Sequence, residues 1–148
     1  MENARLSELN IRLFKEKQAR DKKLGDEGER ECLPLFREKF DKHLSKTGKY
    51  NTMDFISPKT YIELKSRNCR YADYDNIMIG KNKVDYCVNS IKRCILAWRF
   101  RDGIYYYEFD KEDLVEGGVF FGMGGRNDRG RDETREVAYV KRELLKQL

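Results

Sequence analysis

Apolar residues recur at helical spacing in two stretches of the N-terminal part of the chain. Residues 1–23 are rich in charge and carry Leu6, Leu9 and Leu13 as one narrow stripe. After Gly25, a second apolar face is formed by Cys32, Leu33, Leu35, Phe36 and Phe40. This pattern predicts two helices, separated at Gly25, with a start or a bend of the second at Pro34.

Two pairs of extended runs predict β-hairpins. MDFI and YIELKSR are joined by Ser57-Pro58-Lys59-Thr60, a short connection with a proline that favours an antiparallel turn. CILAWRF and IYYYEF flank Arg101-Asp102-Gly103, and Asp-Gly is a strong hairpin signal. The two hairpins supply the strands of a central sheet.

The remaining segments complete an α/β or α+β fold, with a mixed sheet and helices on its faces. KNKVDYCVNSIKRC reads as a helix, DKEDLVEGG as a short helical turn, EVAYV as a last strand and KRELLKQL as a terminal helix. FGMGGRNDRGRDETR reads as a loop. We expect one domain over residues 1–148, with a helical extension at 1–23, a core at 25–110 and a C-terminal segment at 111–148.

Charge and cysteine usage narrow the function classes. The net charge of +5 and the pI of about 9.0 favour an anionic partner, such as nucleic acid or a membrane surface. The four cysteines have no CxxC spacing and His43 is the single histidine, which argues against a zinc finger. No segment resembles a signal peptide or a transmembrane span, so we expect a reducing cytoplasmic, nucleoid or nuclear compartment and no membrane partner.

The run YIELKSR carries the candidate chemistry. Side chains alternate along a strand, so Glu63 and Lys65 point to one side while Ile62 and Leu64 face the core. Asp54 precedes the turn of the same hairpin and comes close to Glu63 if the strands pair. Two neighbouring carboxylates repel each other unless a cation lies between them, and such oxygen ligands suit Mg²⁺ or Mn²⁺. The alternative is an ordinary surface ion pair.

The pattern Met53-Asp54-Phe55…Ile62-Glu63-Leu64-Lys65 resembles the PD-(D/E)xK nuclease motif, with methionine at the usual proline. The preceding GDEGERE is similar to a helix start in the archaeal Holliday-junction-resolvase branch. That similarity points to Glu29 as the helix carboxylate, with Glu27 and Glu31 as competitors. The resemblance covers about residues 25–100 and implies a restriction-endonuclease-like core of order αβββαβ, here with an extra N-terminal helix.

The resemblance also implies roles for individual residues. Asp54, Glu63 and the backbone carbonyl of Leu64 would bind Mg²⁺, for which Mn²⁺ would substitute. Glu29 would bind a second metal or a metal-bound water, and Lys65 would position the attacking water. A lysine on the following helix would assist at the phosphate, with Lys83 as first choice and Lys81 as second.

Basic residues outside this motif are candidates for nucleic-acid contact. The glycine-rich loop carries Arg126, Arg129, Arg131 and Arg135, whose guanidinium groups match phosphate geometry. In the alternative interpretation these arginines pair with Asp128, Asp132 and Glu133 in a solvated loop. Arg67 and Lys81 are further candidates beside the motif.

The sequence as a whole therefore predicts a Mg²⁺-dependent DNA endonuclease, with selectivity for branched or junction DNA as an open possibility. Two alternatives stay open: a ribonuclease with the same core, and a nucleic-acid-binding or assembly protein without catalysis. A homodimer is expected, because one active site cuts one strand. The small, charge-dense chain suits a virus- or phage-encoded enzyme.

Overall fold

The computed structural model describes residues 2–125 and 134–148, and its first element is one long helix, α1 (Glu2–Lys39). The predicted break at Gly25 is wrong, because the helix runs through both Gly25 and Pro34. A helical glycine costs only about 1 kcal/mol. Pro34 lies on the exposed side of α1, while Cys32 and Phe36 are fully buried and hold this part of the helix on the sheet.

Two sheets follow in the described chain. The element order after α1 is β1 (Ser45–Lys46), β2 (Phe55–Ile56), β3 (Thr60–Ser66), β4 (Asn76–Gly80), α2 (Lys81–Val88), β5 (Arg93–Phe100), β6 (Gly103–Glu108), α3 (Lys111–Glu116), β7 (Val119–Gly124), β8 (Arg135–Lys141) and β9 (Lys146–Gln147). Single 3₁₀ turns occur at Tyr71–Asp73 and Arg142–Leu144. Among these strands, the larger sheet has the order β1-β2-β3-β5-β6-β9 and the smaller one β4-β8-β7.

The larger sheet is mixed, as the sequence predicts. β3 and β5 run parallel, with Glu63 opposite Leu96, and the other neighbours pair antiparallel. Both predicted hairpins are confirmed: β2 pairs with β3, and β5 pairs with β6 through Phe100 opposite Gly103. An α+β fold with a mixed central sheet and flanking helices is compatible with the restriction-endonuclease-like fold, so the expected fold class is confirmed.

The central strands β3 and β5 are buried on both faces. On one face, Ile62 and Ala97 pack against α1 through Cys32 and Phe36. On the other face, a second cluster that includes Trp98 joins α2 to the smaller sheet, and Trp98 Nε1 donates to the Met78 carbonyl at 3.4 Å. Glu63 lies on this second side and is only 1% exposed. The charged side of the YIELKSR strand therefore faces a buried cleft and not open solvent.

The structure corrects three further expectations. The C-terminal residues form a 3₁₀ turn and β9, because Lys146 pairs with Tyr106 on the edge of the larger sheet. Part of the expected glycine-rich loop is strand β7, which pairs with β8. α2 ends at Val88, which leaves Ile91 fully exposed beyond the helix.

The short helix predicted in DKEDLVEGG is α3, and Gly117 ends it with a left-handed φ of 84°. Arg126, Arg129 and Arg131 lie outside the described residues, while Arg135 begins β8. Within residues 2–125 and 134–148, no helix combines the length and the apolar character that a membrane crossing requires.

Candidate active site

Strand β3 brings Glu63 and Lys65 together on its cleft side. Lys65 Nζ lies 2.9 Å from Glu63 Oε1, and the lysine side chain is 32% exposed while the glutamate side chain is 1% exposed. The pair thus connects a buried carboxylate to the cleft opening. An ion pair with one buried member is unlike the solvent-exposed pair of the alternative interpretation, because the removal of a buried charge from water is costly without a close partner of opposite charge.

Helix α2 contributes a second lysine to the same carboxylate. Lys83 Nζ lies 3.4 Å from Glu63 Oε2 and also donates a hydrogen bond to the Thr52 carbonyl. The 3.4 Å contact is an ion pair without hydrogen-bond geometry, so Oε2 is a buried oxygen that accepts no hydrogen bond. Val84 and Cys87 anchor α2 in the core and fix the direction of Lys83.

Asp54 lies where β2 begins, opposite the middle of β3. Its Oδ2 accepts from the Leu64 N–H at 2.8 Å, while the Asp54 N–H donates to the Ile62 carbonyl at 3.0 Å. Burial and, next in importance, the neighbouring Glu63 carboxylate together raise the pKa of Asp54 to about 6. The hairpin therefore brings the two carboxylates within electrostatic contact, as the sequence predicts.

Helix α1 adds Glu29 next to Asp54. Burial raises the pKa of Glu29, and the Asp54 charge acts in the same direction. Lys46, on β1, opposes this shift through a 2.8 Å ion pair with Glu29. Glu31 pairs instead with Arg99 at 2.6 Å, and Glu27 lies about 200° around the helix from Glu29. The geometry thus favours Glu29 among the three competing glutamates.

A close approach of α1 to β3 positions Glu29. A Cβ atom at Gly28 would lie 2.2 Å from Ser66 Oγ, so glycine permits the helix backbone to sit directly on the strand. The Ser66 hydroxyl is itself buried without a hydrogen-bond partner. Gly28, the residue before Glu29, is therefore constrained by its packing against Ser66.

The donor set fits a hard divalent cation. Asp54 and Glu63 supply carboxylate oxygens, and Glu63 Oε2 is an unsatisfied acceptor. The N–H and C=O of one strand residue point to the same side, so the Leu64 carbonyl lies on the same side as Asp54. No group of three or more His, Cys, Asp and Glu side chains with metal-binding geometry occurs among the described residues. A cation here would depend on two carboxylates, a backbone oxygen and water, a set that Mg²⁺ accepts.

Two other predicted contact residues, Lys81 and Arg67, have different surroundings. Lys81 Nζ pairs with Asp85 at 2.8 Å and lies over the Phe121 ring. Arg67 follows β3 and, with Arg99 and Arg101, lines a groove of about 890 Å³, the larger of two described surface depressions. This groove contains neither Asp54 nor Glu63, so it is separate from the carboxylate site.

One family model matches most of the chain. The model of a family described as "Phage putative PDDEXK endonuclease" matches residues 16–144 of the chain. The chain belongs to this family. Membership supports a nuclease function. No curated protein and no solved structure matches the chain significantly.

Two contacts in the site of this chain were not predicted from its sequence. Lys46 reaches Glu29 from β1, a strand of two residues that exists only through its pairing with β2. The Thr52 carbonyl, which holds Lys83, is a backbone group on another element. Neither contact has a local sequence signal, because each depends on long-range packing.

Proposed function

We propose that the protein is a Mg²⁺-dependent endonuclease that hydrolyses phosphodiester bonds of DNA. The observation that carries this proposal is the environment of Glu63. Its carboxylate is 1% exposed, lies between Lys65 and Lys83, and has one oxygen without a hydrogen bond. Asp54, with its raised pKa, lies beside it. A structural ion pair needs no second buried carboxylate, whereas a cation site does.

The roles follow from these contacts. Asp54, Glu63 and the Leu64 carbonyl would hold Mg²⁺, which supplies a more acidic water and offsets negative charge on the phosphate. Lys65 is the half-exposed member of the set, so it orients the attacking water and faces the scissile phosphate. Lys83 holds Glu63 in place from the buried side through its 3.4 Å ion pair. Glu29 offers a further carboxylate on the Asp54 side for a second cation or a water.

The reaction is a hydrolysis. The water oxygen bonds to phosphorus, the bond from phosphorus to one ester oxygen breaks, and that oxygen takes a proton. One strand end then carries a phosphate and the other a hydroxyl. The net charge of +5 favours a nucleic-acid substrate, but it does not distinguish DNA from RNA, because both expose the same phosphates.

The test is a cleavage assay on a panel of nucleic acids. Purified protein is incubated with supercoiled plasmid, linear duplex, a four-way junction, single-stranded DNA and RNA, with Mg²⁺, Mn²⁺ or EDTA. We expect cleavage of DNA in Mg²⁺ or Mn²⁺ and none in EDTA. Faster cutting of the junction than of a duplex with the same arm sequences would add structure selectivity. Preferred cutting of RNA would make the protein a ribonuclease, and binding without any cutting would favour an assembly role.

Variants identify the residues responsible. Glu63→Gln keeps the side-chain shape and removes the charge, and we expect it to lower the cleavage rate at least about 100-fold. Glu143→Gln, at an exposed position, is the matched control. Lys83→Met and Lys81→Met form a second matched pair on α2, in which only the Lys83 change should slow cleavage. Cleavage that survives Glu63→Gln or excess EDTA would reject this site.

A further inference from the structure

The first half of α1 extends away from the carboxylate site with its apolar residues unburied. Among the residues of this helix whose exposure is described, Gly28, Cys32 and Phe36 are the buried ones. In the preceding segment, Leu9 is 39% exposed, Ile11 50% and Leu13 43%. We call residues 5–23 the N-terminal arm. None of the arm residues whose exposure is described is buried, so a contact outside the folded core would explain the length of the arm.

Between residues 12 and 30, one side of α1 is predominantly basic. At 100° per residue, one face about 100° wide contains Ala19, Asp26 and the five residues that we call the basic face: Arg12, Lys15, Lys22, Lys23 and Arg30. The remaining charges between residues 12 and 28 are mixed in sign: Glu16, Lys17, Arg20, Asp21 and Glu27. Positive charge is therefore concentrated on one side.

The basic face is the side that adjoins the candidate active site. Lys22, Lys23 and Arg30 line one shallow concave surface of about 520 Å³ together with Lys46. Lys46 is the residue that pairs with Glu29 at 2.8 Å, and Glu29 interacts with Asp54. The row of positive charge thus begins beside the carboxylates and continues outward along the arm.

We propose that the basic face of α1 lies along the phosphate backbone of duplex DNA that flanks the strand being cut. This proposal rests on the proposed DNA endonuclease function. From Glu29 to Arg12 the helix extends about 26 Å, at 1.5 Å per residue. This length corresponds to about 8 base pairs of duplex at 3.4 Å each. The arm therefore extends the contact with DNA by most of one helical turn beyond the site.

The chemistry of this face favours a duplex backbone over a single strand. Proteins that hold single strands combine positive charge with aromatic side chains on which bases stack. Between residues 12 and 30, the side of α1 that carries the basic face has Ala19 and Asp26 as its other residues and no aromatic residue. Phe14 lies on the opposite side of the helix. Contacts to phosphates alone position a protein without reading sequence. The arm therefore contributes to the affinity for DNA and to its orientation, and any preference for a DNA sequence arises from other parts of the protein.

The test compares two variants with the same net charge. Lys15→Gln/Lys22→Gln removes two charges from the basic face, and Lys17→Gln/Arg20→Gln removes two from other faces of the same helix. Binding to a 30-base-pair duplex is measured by fluorescence anisotropy over a series of salt concentrations in Ca²⁺, and circular dichroism verifies that both variants keep their helix content. Duplexes shortened in steps on one side of the cut site are measured in parallel.

We expect the basic-face variant to bind duplex DNA roughly 10- to 50-fold more weakly than the wild type near 0.1 M salt. In a plot of the logarithm of the binding constant against the logarithm of the salt concentration, the magnitude of the slope should fall by about 1.8, at 0.9 for each lost phosphate contact. The control variant should bind like the wild type. The wild type, but not the basic-face variant, should lose affinity when about 8 flanking base pairs are removed. Equal effects of the two variants, or no effect of either, would overturn the proposal.

These outcomes are separate from those that test the proposed function. If Glu63→Gln abolishes DNA cleavage while Lys15→Gln/Lys22→Gln binds like the wild type, the endonuclease stands and the arm proposal fails. If the wild type neither binds nor cuts any duplex, both proposals fail. If the basic-face variant changes the mass of the protein in solution but not its DNA affinity, the arm serves self-association instead.

Discussion

Asp54 is the single residue whose ionisation most clearly opposes folding. Its pKa is raised to about 6 by burial and then by Glu63, so the folded chain holds this proton more tightly than the unfolded chain does. The resulting stability is fully present below the unfolded pKa of about 3.9 and is lost as the pH rises through about 6. The pKa of Glu29 is raised as well and acts in the same direction. Metal-free protein at pH 8 therefore contains two carboxylates that destabilise it.

We expect Asp54→Asn to stabilise the metal-free protein at pH 8 by roughly 1–2 kcal/mol, because the amide removes the buried charge and still accepts from the Leu64 N–H. The gain should shrink toward pH 5. Urea unfolding in EDTA at both pH values measures it. Added Mg²⁺ should raise the melting temperature of the wild type and not that of the variant.

Asp41 is the matched control at the residue scale, because its pKa shift has the opposite sign. The Ser57 hydroxyl donates to Asp41 Oδ2 at 2.6 Å and lowers the pKa of Asp41. Asp41→Asn should therefore lower stability at pH 8, with a difference that disappears as Asp41 itself becomes protonated in acid. If both variants changed stability in the same direction at pH 8, the burial of the Asp54 charge would not be the cause.

At the scale of elements, the contact between α1 and β3 decides the position of Glu29. Gly28→Ala should gain about 1 kcal/mol of helix propensity but meet Ser66 Oγ, which a Cβ would approach to 2.2 Å. Ser66→Ala removes that oxygen and leaves the Ser66 Cβ at an ordinary 3.6 Å. We expect Gly28→Ala alone to slow cleavage by displacing Glu29, and the double variant Gly28→Ala/Ser66→Ala to recover activity and exceed the wild type in stability.

A double-mutant cycle in urea unfolding checks this contact, with an expected coupling energy of about 1 kcal/mol or more. Ser66→Ala alone should be neutral or slightly stabilising, because the hydroxyl is buried without a hydrogen bond. Gly25→Ala is the control, since a Cβ at Gly25 has nothing within 4 Å and should bring only the gain in helix propensity. Additive effects of the Gly28 and Ser66 changes would show that the helix does not depend on this close approach.

The same elements show what the sequence could and could not predict. The hairpin that joins Asp54 to Glu63 was predictable, since alternation and a tight turn are local signals. The choice among Glu27, Glu29 and Glu31 required the rotation of α1, which Cys32 and Phe36 set by packing on the sheet. The C-terminal helix was predicted wrongly because Leu144 and Leu145 suit helical spacing, whereas the pairing of β9 with β6, forty residues away, decided the outcome. The prediction from local sequence pattern failed here because pairing with a distant edge strand determined the structure.

At the scale of the whole molecule, one carboxylate site per chain raises the question of how both strands of a duplex would be cut. We expect a homodimer, and the side of the arm that carries Leu9 and Leu13 is a candidate for its interface, distinct from the basic face.

Leu9→Gln/Leu13→Gln should convert dimer to monomer in analytical ultracentrifugation, because burial of apolar surface drives such association. On supercoiled plasmid, the wild type should yield linear product early, whereas the variant should accumulate nicked circles first. Gln18→Ala, at an exposed position on the opposite side of the same arm, should leave both results unchanged. A wild type that sediments as a monomer and still linearises plasmid in one encounter would contradict this arrangement, since a single site would then have to cut the two strands in turn without releasing the DNA.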